Sequence, residues 1–173
     1  SAVPSIDSEG RFVIDPGTND DARVAVDGLL ELIADEPGLR VTIALPPFLV
    51  EEWARAASGY ELTGPGGVTT VAEDDSVPQA YAETLADLTD AARLDRVELL
   101  TLPYGDPDIV GLQTMDRLQD LSSHYERGVS ALLAGIEASG SVGTLLAEGM
   151  LPEPAVPILD SRGLDYAIVA TST

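Results

Sequence analysis

The chain has 173 residues, of which 45% are apolar, enough for one domain with a sizeable core. It carries 30 acidic residues against nine basic ones, all of them Arg, for a formal net charge of -21. Such a field excludes nucleic acid and anionic lipid as partners, because both need a basic footprint. The absence of Cys, and His124 as the single histidine, exclude disulfides, thiolate metal sites and any site built on two or three His ligands.

No apolar run approaches the ~20 residues that cross a membrane. The opening SAVPSIDSEGR lacks the charged and apolar regions of a signal peptide. Residues 1–18 are polar and turn-rich and read as an arm or edge segment. They contain one β-prone run, Arg11 to Ile14, closed by Asp15-Pro16-Gly17. Residues 19–173 read as a single α/β domain, expected to be a fragment of a larger protein.

Asn19 or Asp20 opens a helix whose apolar face is Val26, Leu29, Leu30 and Ile33; Pro37-Gly38 ends it. Arg40 to Leu45, RVTIAL, is predicted as a strand buried on both faces. Pro47 then suits the first turn of a helix carrying Phe48, Leu49, Trp53 and Ala56. Gly59 to Ser76 is expected to be the least structured part. It holds the breaker cluster Gly64-Pro65-Gly66-Gly67 and the acidic run Glu73-Asp74-Asp75, with Val68 to Ala72 as a brief strand. The cluster is no phosphate loop, since it lacks the GxxxxGK[ST] pattern and the chain has no Lys.

Ser76 and Pro78 start the next helix, with Tyr81, Leu85, Leu88 and Ala92 as its buried stripe. Arg96 to Leu102, RVELLTL, is the second strand. Asp106-Pro107-Asp108 opens a helix, with Asp106 as its N-cap and Asp108 complementing the helix dipole. A long helix runs from about Ser122 to Ala138. A strand over Val142 to Leu146, a helix over Pro152 to Arg162, a stop at Gly163 and a strand over Tyr166 to Ala170 complete the chain.

Strands alternating with helices give an α/β fold, with a mostly parallel sheet and flanking helices. A closed eight-fold barrel takes about 250 residues, so this chain is expected to form a partial or incomplete (β/α) barrel. Ligands of such folds bind at the carboxyl ends of the strands. Those ends carry Glu148, Tyr104, Asp106 and Asp108, with Trp53 nearby on its helix. Paired carboxylates with aromatic platforms suit glycoside chemistry, in which one carboxyl protonates the leaving oxygen and the other attacks or activates water. Helix capping by Asp106, packing by Tyr104 and Trp53, and a solvated role for most charges compete with that chemistry. No metal site and no cofactor are expected.

The final third resembles the glycoside hydrolase/polysaccharide deacetylase superfamily of (β/α) barrels. Leu145-Leu146-Ala147-Glu148 takes the place of a WLPE motif, and Pro152 to Arg162, Gly163, Tyr166 and Ile168 follow in that family's order. Leu102-Pro103-Tyr104-Gly105-Asp106-Pro107-Asp108 resembles a segment of large surface proteins from high-GC Gram-positive bacteria that carry a degenerate version of this barrel. The resemblance implies Glu148 at the nucleophile position of a retaining glycosidase. The chain departs from the motif at Leu145 and Ala147, and it lacks the family's His-rich first strand. The expectation is therefore an extracytoplasmic or cell-surface domain, non-catalytic or degenerate, that binds polysaccharide or a cell-envelope protein. The alternatives are a retaining glycoside hydrolase using Glu148 and a purely structural interaction module.

Overall fold

The computed structural model describes residues 6–18, 20–138, 140, 143–146 and 150–169. They form an α/β chain of two compact units: residues 1–39 with 52–91, and residues 40–51 with 92–173.

The first unit holds helices α1 (Asp21–Asp35) and α3 (Ser76–Ala92), and most of α2 (Pro47–Ala57). It also holds a hairpin of β2 (Tyr60–Gly64) and β3 (Gly67–Val71). The apolar spacing predicted for α1 buries Val26, Leu30 and Ile33, and that of α3 buries Tyr81, Leu85 and Leu88. The two helices are also tied by polar groups. The Thr84 hydroxyl donates to Asp27 Oδ1 at 2.6 Å, and Arg23 pairs with Asp20 and Asp27 while lying 5.6 Å from the centre of the Tyr81 ring.

The segment expected to be least structured is in fact the regular hairpin. Gly64 and Gly67 pair across the turn, and the register runs unbroken to Tyr60 opposite Val71. The breaker cluster supplies the turn: Gly67 has φ +109, which a glycine adopts freely. Phe12, from the predicted β-prone run, is buried and bridges Leu62, adding its backbone to the outer side of β2.

The second unit carries the parallel sheet: β1 (Val41–Ile43) pairs with β4 (Val97–Leu99), and β5 (Gly143–Leu145) with β6 (Tyr166–Ile168). The Thr101 amide donates to the Gly143 carbonyl at 3.3 Å, which places β5 beside the chain leaving β4. The described residues thus hold two parallel pairs, β1-β4 and β5-β6, joined by that bond, with no closed barrel among them. Helices α4 (Ile109–Thr114), α5 (Asp120–Ile136) and α6 (Val156–Asp160) accompany it. Ile109, Leu121, Tyr125, Leu146, Ala155 and Leu159 form its buried cluster.

Strands β1 and β4 are not buried on both faces, as RVTIAL had suggested. Thr42 is exposed and donates to Glu98 Oε2 at 3.1 Å, and the Tyr166 hydroxyl reaches Glu98 Oε1 at 2.5 Å. Val-Thr-Ile and Val-Glu-Leu alternate, so one side packs and the other meets water. Tyr166 crosses over Gly143, where a Cβ would overlap its ring.

Candidate functional site

Beyond β4 the chain is buried through Thr101, Leu102 and Pro103, then surfaces at Tyr104. Helix α5 fixes that residue by its backbone. The Tyr104 amide donates to the His124 carbonyl at 2.9 Å, and His124 Nδ1 lies 2.5 Å from the Tyr104 carbonyl oxygen. A carbonyl can only accept, so the His124 proton sits on Nδ1.

The Tyr104 side chain meets α2 and α5 at once. Its hydroxyl donates to Glu51 Oε2 at 2.7 Å. Arg127 Nη2 donates to the same hydroxyl at 3.3 Å and lies 3.5 Å from Glu51 Oε2, with its guanidinium carbon 4.2 Å from the ring centre. Partial burial pushes the Tyr104 phenol above its ordinary pKa, and the bond to Glu51 adds to this. The phenol is therefore held neutral, as a donor. Arg127 is itself raised, chiefly by its hydrogen bond to Tyr104. The result is an aromatic ring, a carboxylate and a guanidinium in one partly open constellation at the carboxyl end of the parallel sheet. It can donate to and accept from hydroxyl groups, and it has one ring face covered by Arg127.

The residues singled out from the sequence fall in different places. Tyr104 lies at the strand-end edge. Asp106 is exposed, with φ +48, and follows Gly105 at φ +76; the two left-handed residues turn the chain back. Asp106 is thus not the cap. Asp108 is: it has the extended geometry a cap needs (φ -65, ψ 97), and its Oδ1 accepts from the Gly111 amide at 2.6 Å. The helix begins at Ile109 accordingly. Trp53 is only 4% exposed and packs against Tyr81 in the first unit, with ring centres 6.3 Å apart. Its surface is spent on that packing. Glu148, with Ala147 and Gly149, lies outside the described residues.

Glu51, His124 and Arg127 were not anticipated. His124 and Arg127 stand three apart on α5, which places them on one side of that helix. Glu51 follows Pro47 by one turn. The spacing was visible in the sequence, but the convergence on Tyr104 was not.

Among the described residues no group of three or more His, Asp or Glu side chains could hold a metal ion. An open concavity of about 490 Å³ occurs in the first unit, lined by Glu9, Arg11, Phe12, Arg55, Tyr60 and Glu73 among others. Arg11 there pairs with Glu9 and Glu61, so its charge is already balanced.

No protein-family model matches the chain, and no curated protein is similar to it at a significant level.

Proposed function

We propose that this chain is a non-catalytic binding module related to the carbohydrate-active (β/α) barrels, placed at a cell envelope, and that it takes a neutral glycan at the carboxyl end of its parallel sheet. The observation that carries this reading is the Tyr104–Glu51–Arg127 constellation. A ring with flanking carboxylate and guanidinium groups is chemically suited to a hydroxyl-rich ligand, offering apolar contact and charge-assisted hydrogen bonds together. The net charge of -21 favours a neutral glycan over an anionic one. Asp108 is committed to its helix, and Asp106 to an exposed turn, so neither is held in an enclosed pair of the kind glycoside hydrolysis requires.

The test is a screen of neutral and anionic polysaccharides by affinity electrophoresis. It compares the native chain with Tyr104→Ala and Glu148→Gln, with circular dichroism to confirm folding. The expected result is retention by a neutral glycan that Tyr104→Ala abolishes and Glu148→Gln leaves unchanged. Release of reducing ends by the native chain, lost in Glu148→Gln, would instead make the module a glycosidase. Absence of retention by every glycan would reject the reading.

A further inference from the structure

The hairpin of the first unit carries a second feature, independent of the glycan reading. On its outer side, away from β3, β2 is occupied: the Phe12 amide donates to the Glu61 carbonyl at 2.9 Å, and the Thr63 amide donates to the Phe12 carbonyl at 2.8 Å. The backbone groups of Glu61 and Thr63 therefore point away from β3. In an antiparallel ladder, residues directly opposite share this orientation. Thr70 stands opposite Glu61, and Val68 opposite Thr63. The N–H and C=O of Val68 and Thr70 must then point away from β2, along the free edge of β3. No partner for these four groups occurs among the described residues.

The edge is also unguarded. Protein edges are ordinarily blunted with Lys, Pro, a bulge or a covering element. Gly-Val-Thr-Thr-Val contains no charge and no Pro, its register is unbroken, and Gly67 to Thr70 are all exposed, Val68 at 48%. Two β-branched residues at alternate positions, with outward donors and acceptors, form a template for an added strand.

Charge decides which strand. Glu73, Asp74 and Asp75 follow β3 after Ala72, all exposed, so the edge leads into an acidic cluster. A second copy of this chain would bring another net charge of -21 against the first. An extended segment with basic residues meets attraction instead. Antiparallel addition would set the N-terminal end of the incoming strand beside Glu73 to Asp75.

We propose that the free edge of β3 captures an extended peptide by antiparallel strand addition, and that the peptide carries basic residues at its N-terminal end. Backbone hydrogen bonds from Val68 and Thr70 supply the pairing, and the acidic cluster supplies orientation.

Fluorescence anisotropy with labelled Arg-Arg-Val-Thr-Val-Thr-Val tests this, against Glu-Glu-Val-Thr-Val-Thr-Val and against the sequence with its two Arg moved to the C-terminus. The Arg-first peptide should bind most tightly, and its binding should weaken as salt rises. Thr70→Pro removes an outward donor while leaving the β2–β3 hydrogen bonds intact, and should weaken binding about tenfold or more. N-methylation of the central peptide residues should do the same with the native chain, whatever the variant does to folding. Equal binding of all three peptides, or no effect of either backbone block, would overturn the proposal. Dimerisation of the native chain at high salt that Thr70→Pro abolishes would overturn the choice of a basic peptide in favour of a second copy. Glycan retention through Tyr104 is read separately and is unaffected by any of these outcomes.

Discussion

Three buried polar residues show how single side chains set stability in the second unit. The Thr144 hydroxyl donates to the Thr101 carbonyl, so the Tyr125 hydroxyl, 2.9 Å from Thr144 Oγ1, must be the donor in their shared bond. Tyr125→Phe deletes one donor and leaves Thr144 bonded, at a cost of about 1 kcal/mol. Thr144→Val strands the Tyr125 hydroxyl in the core and removes a bond to the Thr101 carbonyl, at a cost of about 2 kcal/mol. Urea unfolding of the two variants should give that order; equal or reversed costs would contradict the chain of donors. Burial also pushes the phenols of Tyr125 and Tyr81 up to about 12. The folded state then holds these protons more tightly than the unfolded chain, whose tyrosines titrate near 10. Their contribution is complete below pH ~10 and is lost as pH rises toward ~12. Unfolding free energy should fall over that window, and Tyr125→Phe should make the fall shallower.

Helix α5 owes its position to two glycines. A Cβ at Gly128 would overlap the Leu102 carbonyl oxygen, and one at Gly135 would overlap Val50 Cγ1. They lie seven residues apart, hence on one side of the helix. Through them α5 comes close enough for His124 and Arg127 to reach Tyr104. Gly128→Ala forces backbone apart and should destabilise by about 1–3 kcal/mol. Gly28, in α1, has nothing within 4 Å of where its Cβ would stand. Gly28→Ala should therefore stabilise, by about 0.4–1 kcal/mol, because the unfolded chain loses freedom. Thermal unfolding of the pair separates a glycine needed for approach from one that only loosens a helix. Loss of the Arg127–Tyr104 contact in Gly128→Ala should also weaken any ligand held at that edge.

At the scale of the molecule the charge dominates. Thirty acidic residues face nine Arg, and the ion pairs that exist are mostly partly or fully exposed, such as Arg93 with Glu137 and Arg162 with Glu126. Such pairs contribute little, while like-charge repulsion acts on the compact state as a whole. Added neutral salt should raise the melting temperature by screening that repulsion. A melting temperature that stays level or drops with salt would show that the acidic surface is not a net burden.

Periodicity in the sequence was enough for the α/β class, the parallel strands and the helices between them, because burial of an apolar stripe depends on local spacing; which strands pair, β1 with β4 and β5 with β6, came only with the fold. Alternation in Val-Thr-Ile and Val-Glu-Leu also carried the half-open sheet, though the apolar content masked it. The turn chemistry of Gly64 to Gly67 held the hairpin, yet pairing with Phe12 depended on a partner about fifty residues away. The site was legible only at Tyr104. Its partners Glu51, His124 and Arg127 come from two helices, and nothing local to any of them announces the others. Trp53 and Asp106 looked alike as strand-end candidates, and packing alone sent one to the interior and the other to an exposed turn. Side-chain spacing fixes which face of an element is apolar; which polar groups meet is decided when the elements pack, since hydrogen bonds act over a few ångströms and depend on every intervening contact.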